Sequence, residues 1–162
     1  MEQEEHLNIV EDICESTLTM AYQLGKLFFN DGEPIVPSRF FILLTVSRAG
    51  SCTISAIAEE VGLSPGANTI AVNKLVKEGL LMRVKDKQDK RVCWMRITPA
   101  GQAALDAMID KRNHVFRMVL ADFPESHLNM FLQSLEFIQH KLSPSGEPVE
   151  LPAFPSDGKR SR

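Results

Sequence analysis

The sequence predicts a mainly α fold with a small β wing: a winged helix-turn-helix domain flanked by long N- and C-terminal helices. Three observations predict it. Gly62-Leu63-Ser64 joins two short stretches of helical period. Leu80 to Val84 and Val92 to Ile97 have strand character and flank a polar tip, Lys85-Asp86-Lys87-Gln88-Asp89-Lys90-Arg91. Residues 5–29 and 99–142 carry long apolar stripes at helical spacing.

The first helix is expected over residues 5–29, where Leu7, Val10, Ile13, Cys14, Leu18, Ala21, Leu24 and Phe28 keep helical period. Ile9, Met20 and Leu27 widen the stripe beyond one face, so this helix needs a second partner. Residues 1–53 hold three basic and eight acidic side chains, a net −5, which would repel DNA. Asn30-Asp31-Gly32 ends the helix, and Pro34 and Pro37 mark a loop. Ser38 is the expected cap of a second helix, nearly uniformly apolar over 39–49 and ended by Gly50. Ser51-Cys52-Thr53 is short and extended, and is expected to add an edge to the wing sheet.

Ile57, Ala58 and Val61 mark a third helix ending at Gly62. Ser64-Pro65 starts the fourth, with a hydroxyl to cap free N–H groups and proline at the first helical position. Ala67, Ala71, Val72, Leu75 and Val76 form its inner period, and Gly79 fits its stop. The opposite face carries Gly66, Thr69, Ile70, Asn73, Lys74 and Lys77, and short polar groups near a helix N-terminus suit base edges and phosphates. Residues 83–96 hold six basic side chains against two acidic ones, a local +4 in a chain whose net charge is −3. A basic patch on an acidic chain points to a nucleic-acid contact, because phosphate binding needs local cations.

Thr98-Pro99 caps and opens a long helix over roughly 99–121, and Phe123-Pro124-Glu125 breaks it. A last helix over 125–142 places Leu128, Phe131, Leu132, Leu135, Ile138 and Leu142 at heptad-like spacing. Residues 143–162 hold four prolines and two glycines with little apolar content, the composition of a disordered tail. Its end, Lys159-Arg160-Ser161-Arg162, is expected to be solvated, with a contact to DNA phosphate the alternative.

At 162 residues and 44% hydrophobic content the chain is expected to make one domain, or one domain with arms. Its three cysteines lack close pairing, which suggests a reducing compartment. The acidic N-terminus is no signal peptide, and the longest mostly apolar run, Phe40 to Val46, is too short to span a membrane. A cytoplasmic location is expected.

From Leu63-Ser64-Pro65 through the wing Asp86-Lys-Gln-Asp89-Lys90-Arg91 to Ile97-Thr98-Pro99-Ala100-Gly101, the sequence resembles the MarR family of bacterial transcriptional regulators. The resemblance covers roughly residues 5–142. It divides the chain into dimerisation helices at 5–29 and 99–142 and a winged helix-turn-helix at 38–98. It implies a homodimer that binds a palindromic operator in double-stranded DNA, usually as a repressor released by a small ligand or an oxidant. It implies DNA contacts by Ser64, Pro65, Gly66, Asn68, Thr69, Ile70, Asn73, Lys74 and Lys77 on the recognition helix. In the wing it implies contacts by Lys85, Lys87, Lys90 and Arg91. Arg91 would enter the minor groove, with Asp86 and Asp89 shaping the wing and Asp89 orienting the arginine. Two positions depart from the family. Asn68 stands where an aliphatic residue is usual, and either reads adenine or hydrogen-bonds inside. Ile70 stands where arginine is frequent, and suits a thymine methyl. An aromatic effector in this family sits between the dimerisation helices and the winged helix; Tyr22, Phe40 and Phe41 are the candidates here, with core packing the alternative.

No HxxxH or CxxC metal signature, phosphate-binding glycine loop or nucleophile elbow appears, so neither a metal, a cofactor nor an enzyme is expected. Glu59-Glu60 suits a solvated face. Cys14 is the candidate redox residue, by analogy with family members that sense oxidants on the first helix. Its neighbours Glu11, Asp12 and Glu15 disfavour a thiolate, and a small core residue is the plainer reading. A winged helix that contacts protein instead of DNA is the rival class.

Overall fold

The computed structural model describes residues 2–30 and 36–142, with side chains over 4–28 and 36–142. The loop expected around residues 31–35 and the tail expected at 143–162 lie outside the described residues, and so does the basic end of that tail. Among the described residues six helices and three strands follow in order: α1 (Glu2–Asn30), α2 (Pro37–Ala49), β1 (Cys52–Thr53), α3 (Ile54–Val61), α4 (Pro65–Lys77), β2 (Leu81–Lys85), β3 (Cys93–Ile97), α5 (Pro99–Val119) and α6 (Glu125–Leu142). The described residues fall into two compact units, divided between Phe116 and Arg117.

In the first unit, α2 is buried on most sides because its sequence is apolar on most sides. Phe40, Ile42, Leu43, Leu44 and Val46 enter the core, joined by Ile57 of α3, Val72 and Leu75 of α4, and Leu105, Met108 and Ile109 of α5. Each such side chain contributes roughly 1.5–3 kcal/mol by leaving water. Ser38 is not the cap of α2. The helix begins one residue earlier at Pro37, whose fixed φ suits the first turn; Val36 occupies the cap position without a side-chain bond.

The sheet has the order β1-β3-β2, all antiparallel. The edge strand expected at 51–53 pairs Cys52 with Met95 and Thr53 with Trp94. In the hairpin, Val84 faces Trp94 and Lys85 faces Cys93. Leu81 and Met95 face the core. Burial raises the Cys52 thiol above its ordinary value, in keeping with an inert core thiol.

Thr98 fastens α5 to the corner between α4 and the wing. Its N–H donates to Leu80 O at 3.0 Å, and its hydroxyl to Gly79 O at 2.7 Å. The same hydroxyl oxygen accepts from Gly101 N–H at 3.0 Å, capping the helix. Gly101 is where the backbones meet: a Cβ there would lie 2.0 Å from Leu80 O.

Along α1 the expected apolar stripe is present but uncovered. Leu7, Ile13, Leu18 and Met20 are exposed, and Cys14 is exposed with them, so within this chain it is not a core residue. Only near its end does α1 pack, where the Phe28 ring lies 6.5 Å from that of Phe116. In the second unit, α6 has no buried residue; Met130, Leu132, Phe137 and Leu142 stand exposed.

Candidate nucleic-acid interface

The turn between α3 and α4 is built by Gly62 and Ser64. Gly62 takes a left-handed conformation (φ 70°) that favours glycine, closing α3 with Leu63 N–H donating to Ala58 O at 3.1 Å. Ser64 is extended, and its hydroxyl accepts from Ala67 N–H at 3.3 Å. These local choices set α4 across α3, with Val72 and Leu75 inward.

Gly66, Thr69, Ile70, Asn73, Lys74 and Lys77 share the exposed side of α4, together with Ala67, which was expected to face inward. Thr69 donates its hydroxyl proton to Pro65 O at 2.7 Å, so it offers lone pairs and a methyl to a partner. Ile70 is 72% exposed. Asn68 does not belong to this surface. It is 0% exposed, and its Nδ2 donates to Ile54 O at 2.7 Å, fastening the recognition helix to the first turn of α3. Of its two sequence readings the interior one applies, and base reading by Asn68 is corrected. Asn73 is exposed but occupied: its Oδ1 accepts from Arg83 Nη2 of β2.

At the wing two carboxylates organise the tip. Asp86 Oδ1 accepts from the N–H groups of Gln88 (2.7 Å) and Asp89 (3.0 Å), and its Oδ2 from Trp94 Nε1 (2.9 Å). The Asp89 N–H bond first, then Trp94 and Gln88, hold the Asp86 carboxyl below its ordinary value of 3.8. Asp89 Oδ1 accepts from Arg91 N–H (2.9 Å) and Nε (3.1 Å), and Oδ2 from Nη2 (3.1 Å). That bidentate pair lowers the Asp89 carboxyl too, the Arg91 side chain being the main cause. Two oxygens of one acid thus aim a guanidinium whose side chain is 91% exposed. Lys85, Lys87 and Lys90 are exposed beside it.

Two of these contacts, Asn73–Arg83 and Asp86–Trp94, escaped the sequence reading. Helix period does not show which strand residue meets α4. The second follows only from hairpin register, since Trp94 pairs with Val84, two positions before Asp86.

Away from this face, a cavity of about 360 Å³ in the first unit is lined by Leu24, Phe28, Phe40, Phe41, Met108 and Arg112, among others. Of the three residues named as effector candidates, Phe40 and Phe41 line it. Tyr22 does not: it is 66% exposed, with Lys26 Nζ 4.4 Å above its ring. Burial lowers the Arg112 guanidinium below its ordinary value, and Nη2 donates to Asn113 Oδ1 at 3.0 Å. Among the described residues no three His, Cys, Asp or Glu side chains gather to hold a metal, and no helix is long and apolar enough to cross a membrane.

A capped helix-turn-helix followed by a hairpin with an exposed arginine at its tip defines a winged helix-turn-helix domain. The MarR family model matches residues 35–93. Over that segment the chain is similar to the MarR family. It is similar to the uncharacterized HTH-type transcriptional regulator YwhA of Bacillus subtilis (strain 168), with 42% identity over 77 residues, 48% of this chain. The match spans 55% of that relative's length. Its fold resembles a MarR family protein from Bacillus stearothermophilus, at TM-score 0.72 and 22% identity, over 85% of this chain and 96% of that one. FabT of Streptococcus pneumoniae, solved in complex with DNA, superimposes at TM-score 0.65 and 17% identity, over 85% of this chain and 96% of FabT.

Proposed function

We propose that this chain is a DNA-binding transcriptional regulator that works as a homodimer on a pseudo-palindromic operator, as a repressor, in the cytoplasm. The observation that carries the reading is the pairing of an exposed polar face on α4 with a wing whose Arg91 is aimed outward by Asp89. A helix of this kind enters a major groove, while a planar cation at a wing tip suits a narrow minor groove with concentrated negative potential. Lys85, Lys87 and Lys90 supply phosphate contacts, and Lys74 and Lys77 extend that set along α4. Support comes from the FabT complex, where a protein of this fold is bound to DNA. The uncovered apolar stripes of α1 and of α6 support self-association, since a contiguous apolar surface of that length favours a partner.

The cavity beside Phe40 and Phe41 supports release by a small aromatic effector, its apolar wall supplying contact area and the Arg112 edge a cationic group. Cys14, exposed on α1, is the residue through which an oxidant would act.

Ile70 favours one other reading, a winged helix that docks on protein, because a bare isoleucine on the recognition face suits an apolar contact. Binding to random duplex DNA across a salt series separates the two. A DNA regulator loses affinity steeply with salt as counterions return to the phosphates. A protein-binding module shows no such retention. Light scattering at micromolar concentration should give about twice 18.1 kDa. Titration of salicylate-like compounds and peroxide into the DNA complex tests release.

A further inference from the structure

Arg83 and Asn73 form a bridge between the wing and the recognition helix. Arg83 on β2 donates through Nη2 to Oδ1 of Asn73 on α4. The atom facing the guanidinium must be the amide oxygen, because arginine has donors and no acceptor. Both side chains are exposed. Among the described residues no second protein acceptor holds Arg83.

A free asparagine reads adenine with both ends of its amide, the oxygen accepting from N6–H and the nitrogen donating to N7. Here the oxygen already accepts. A base donor approaching its second lone pair arrives beside a full positive charge. Besides that lone pair, shielded by the charge beside it, the pair offers donors alone: the Nδ2 hydrogens of Asn73 and the remaining guanidinium hydrogens of Arg83. Guanine presents two adjacent acceptors, O6 and N7, in the major groove; adenine presents one acceptor next to a donor.

We infer that Arg83 is a specificity-determining residue, which turns Asn73 from an adenine reader into half of a donor-only head that selects guanine in each half-site. This rests on the DNA-binding reading above. If Arg83 only touched phosphate, its loss would weaken every sequence alike. As a partner of Asn73, its loss changes which base is preferred.

The test is selection from a random duplex pool with the wild-type dimer and with Arg83→Ala, Asn73→Ala and the double variant. Wild type should prefer guanine over adenine by roughly tenfold at one position of each half-site. Arg83→Ala should move that position toward adenine. Asn73→Ala should act on the same position, and the double variant should do little more than Asn73→Ala alone, because coupled residues are non-additive. Arg83→Met, which keeps the aliphatic stem, repeats the test if the alanine variant is poorly folded. The inference is overturned if Arg83→Ala and Arg83→Met weaken all duplexes while keeping the wild-type base preference. It is overturned equally if Arg83 and Asn73 act at different base pairs. A wild-type protein that selects nothing and shows no salt-sensitive binding overturns the DNA reading itself, an outcome distinct from a selected site that the variants leave unchanged.

Discussion

Trp94 and Asp86 lock the base of the wing: Nε1 of the indole donates to Oδ2 of the carboxylate at 2.9 Å, while Oδ1 holds the N–H groups of Gln88 and Asp89. One carboxylate therefore fixes both the start of the tip and the strand that returns from it. Trp94 is the single tryptophan of the chain, so indole emission reports on the wing base.

Because these bonds lower the Asp86 carboxyl, the folded value lies below the ordinary 3.8. The contribution of Asp86 to wing order is present above the unfolded value and is lost as pH falls through the folded one. Trp94 emission should stay constant from pH 7 to pH 4 and change only below 3.8. Asp86→Ala should show the acid-type emission already at pH 7. A transition that begins well above pH 4, or an unaltered spectrum in Asp86→Ala, would contradict the assignment.

Gly101→Ala should be among the most damaging single changes. The added methyl meets Leu80 O at 2.0 Å and Ile97 Cγ1 at 2.9 Å, and a backbone carbonyl cannot turn aside as a side chain does. The cost should be at least about 1–3 kcal/mol, the range for overpacking. Urea unfolding measures it. A midpoint equal to wild type would mean that α5 does not seat on Leu80 as described.

Asn68→Leu should leave the operator preference unchanged. The side chain is buried, its Oδ1 has no hydrogen-bond partner, and its one bond is to Ile54 O. Leucine loses that bond but removes an unsatisfied buried carbonyl, so stability should change by less than about 1 kcal/mol. A changed base preference in a selection experiment would return Asn68 to the DNA surface.

The architecture was legible because its signals are local. Gly62, Ser64-Pro65, Thr98-Pro99 and the alternation around the wing each act within a few residues of their own position. The end of α3, the start of α4 and the bounds of the hairpin follow from them to within a residue or so, whereas the start of α3 at Ile54 lies three residues before the first residue that marks it. Expectation and structure part where two local signals compete or where distant residues decide. Pro37 outranked Ser38 as a helix start. Asn68 carries a polar amide at a core position of the helical period, and only the reach to Ile54 O, fourteen residues away, settles its side. Tyr22 shares α1 with the cavity-lining Ala21 and Leu24, but one step along a helix turns a side chain by about 100°, onto another face. Asn73 and Arg83 meet through the packing of α4 on β2, which no spacing in the chain encodes.

Fluorescence anisotropy on a selected operator and a scrambled duplex, at several salt concentrations, tests most directly whether the wing is a DNA element. Arg91→Ala should bind the selected operator roughly tenfold more weakly and lose discrimination at the outer A·T positions, with the fold and the oligomeric state unchanged. Lys87→Ala should weaken both duplexes alike and reduce the salt slope by about one unit for each phosphate that the lysine neutralises. If folded Arg91→Ala binds both duplexes as wild type does, the wing does not touch DNA, and the protein-docking reading of this winged helix takes its place.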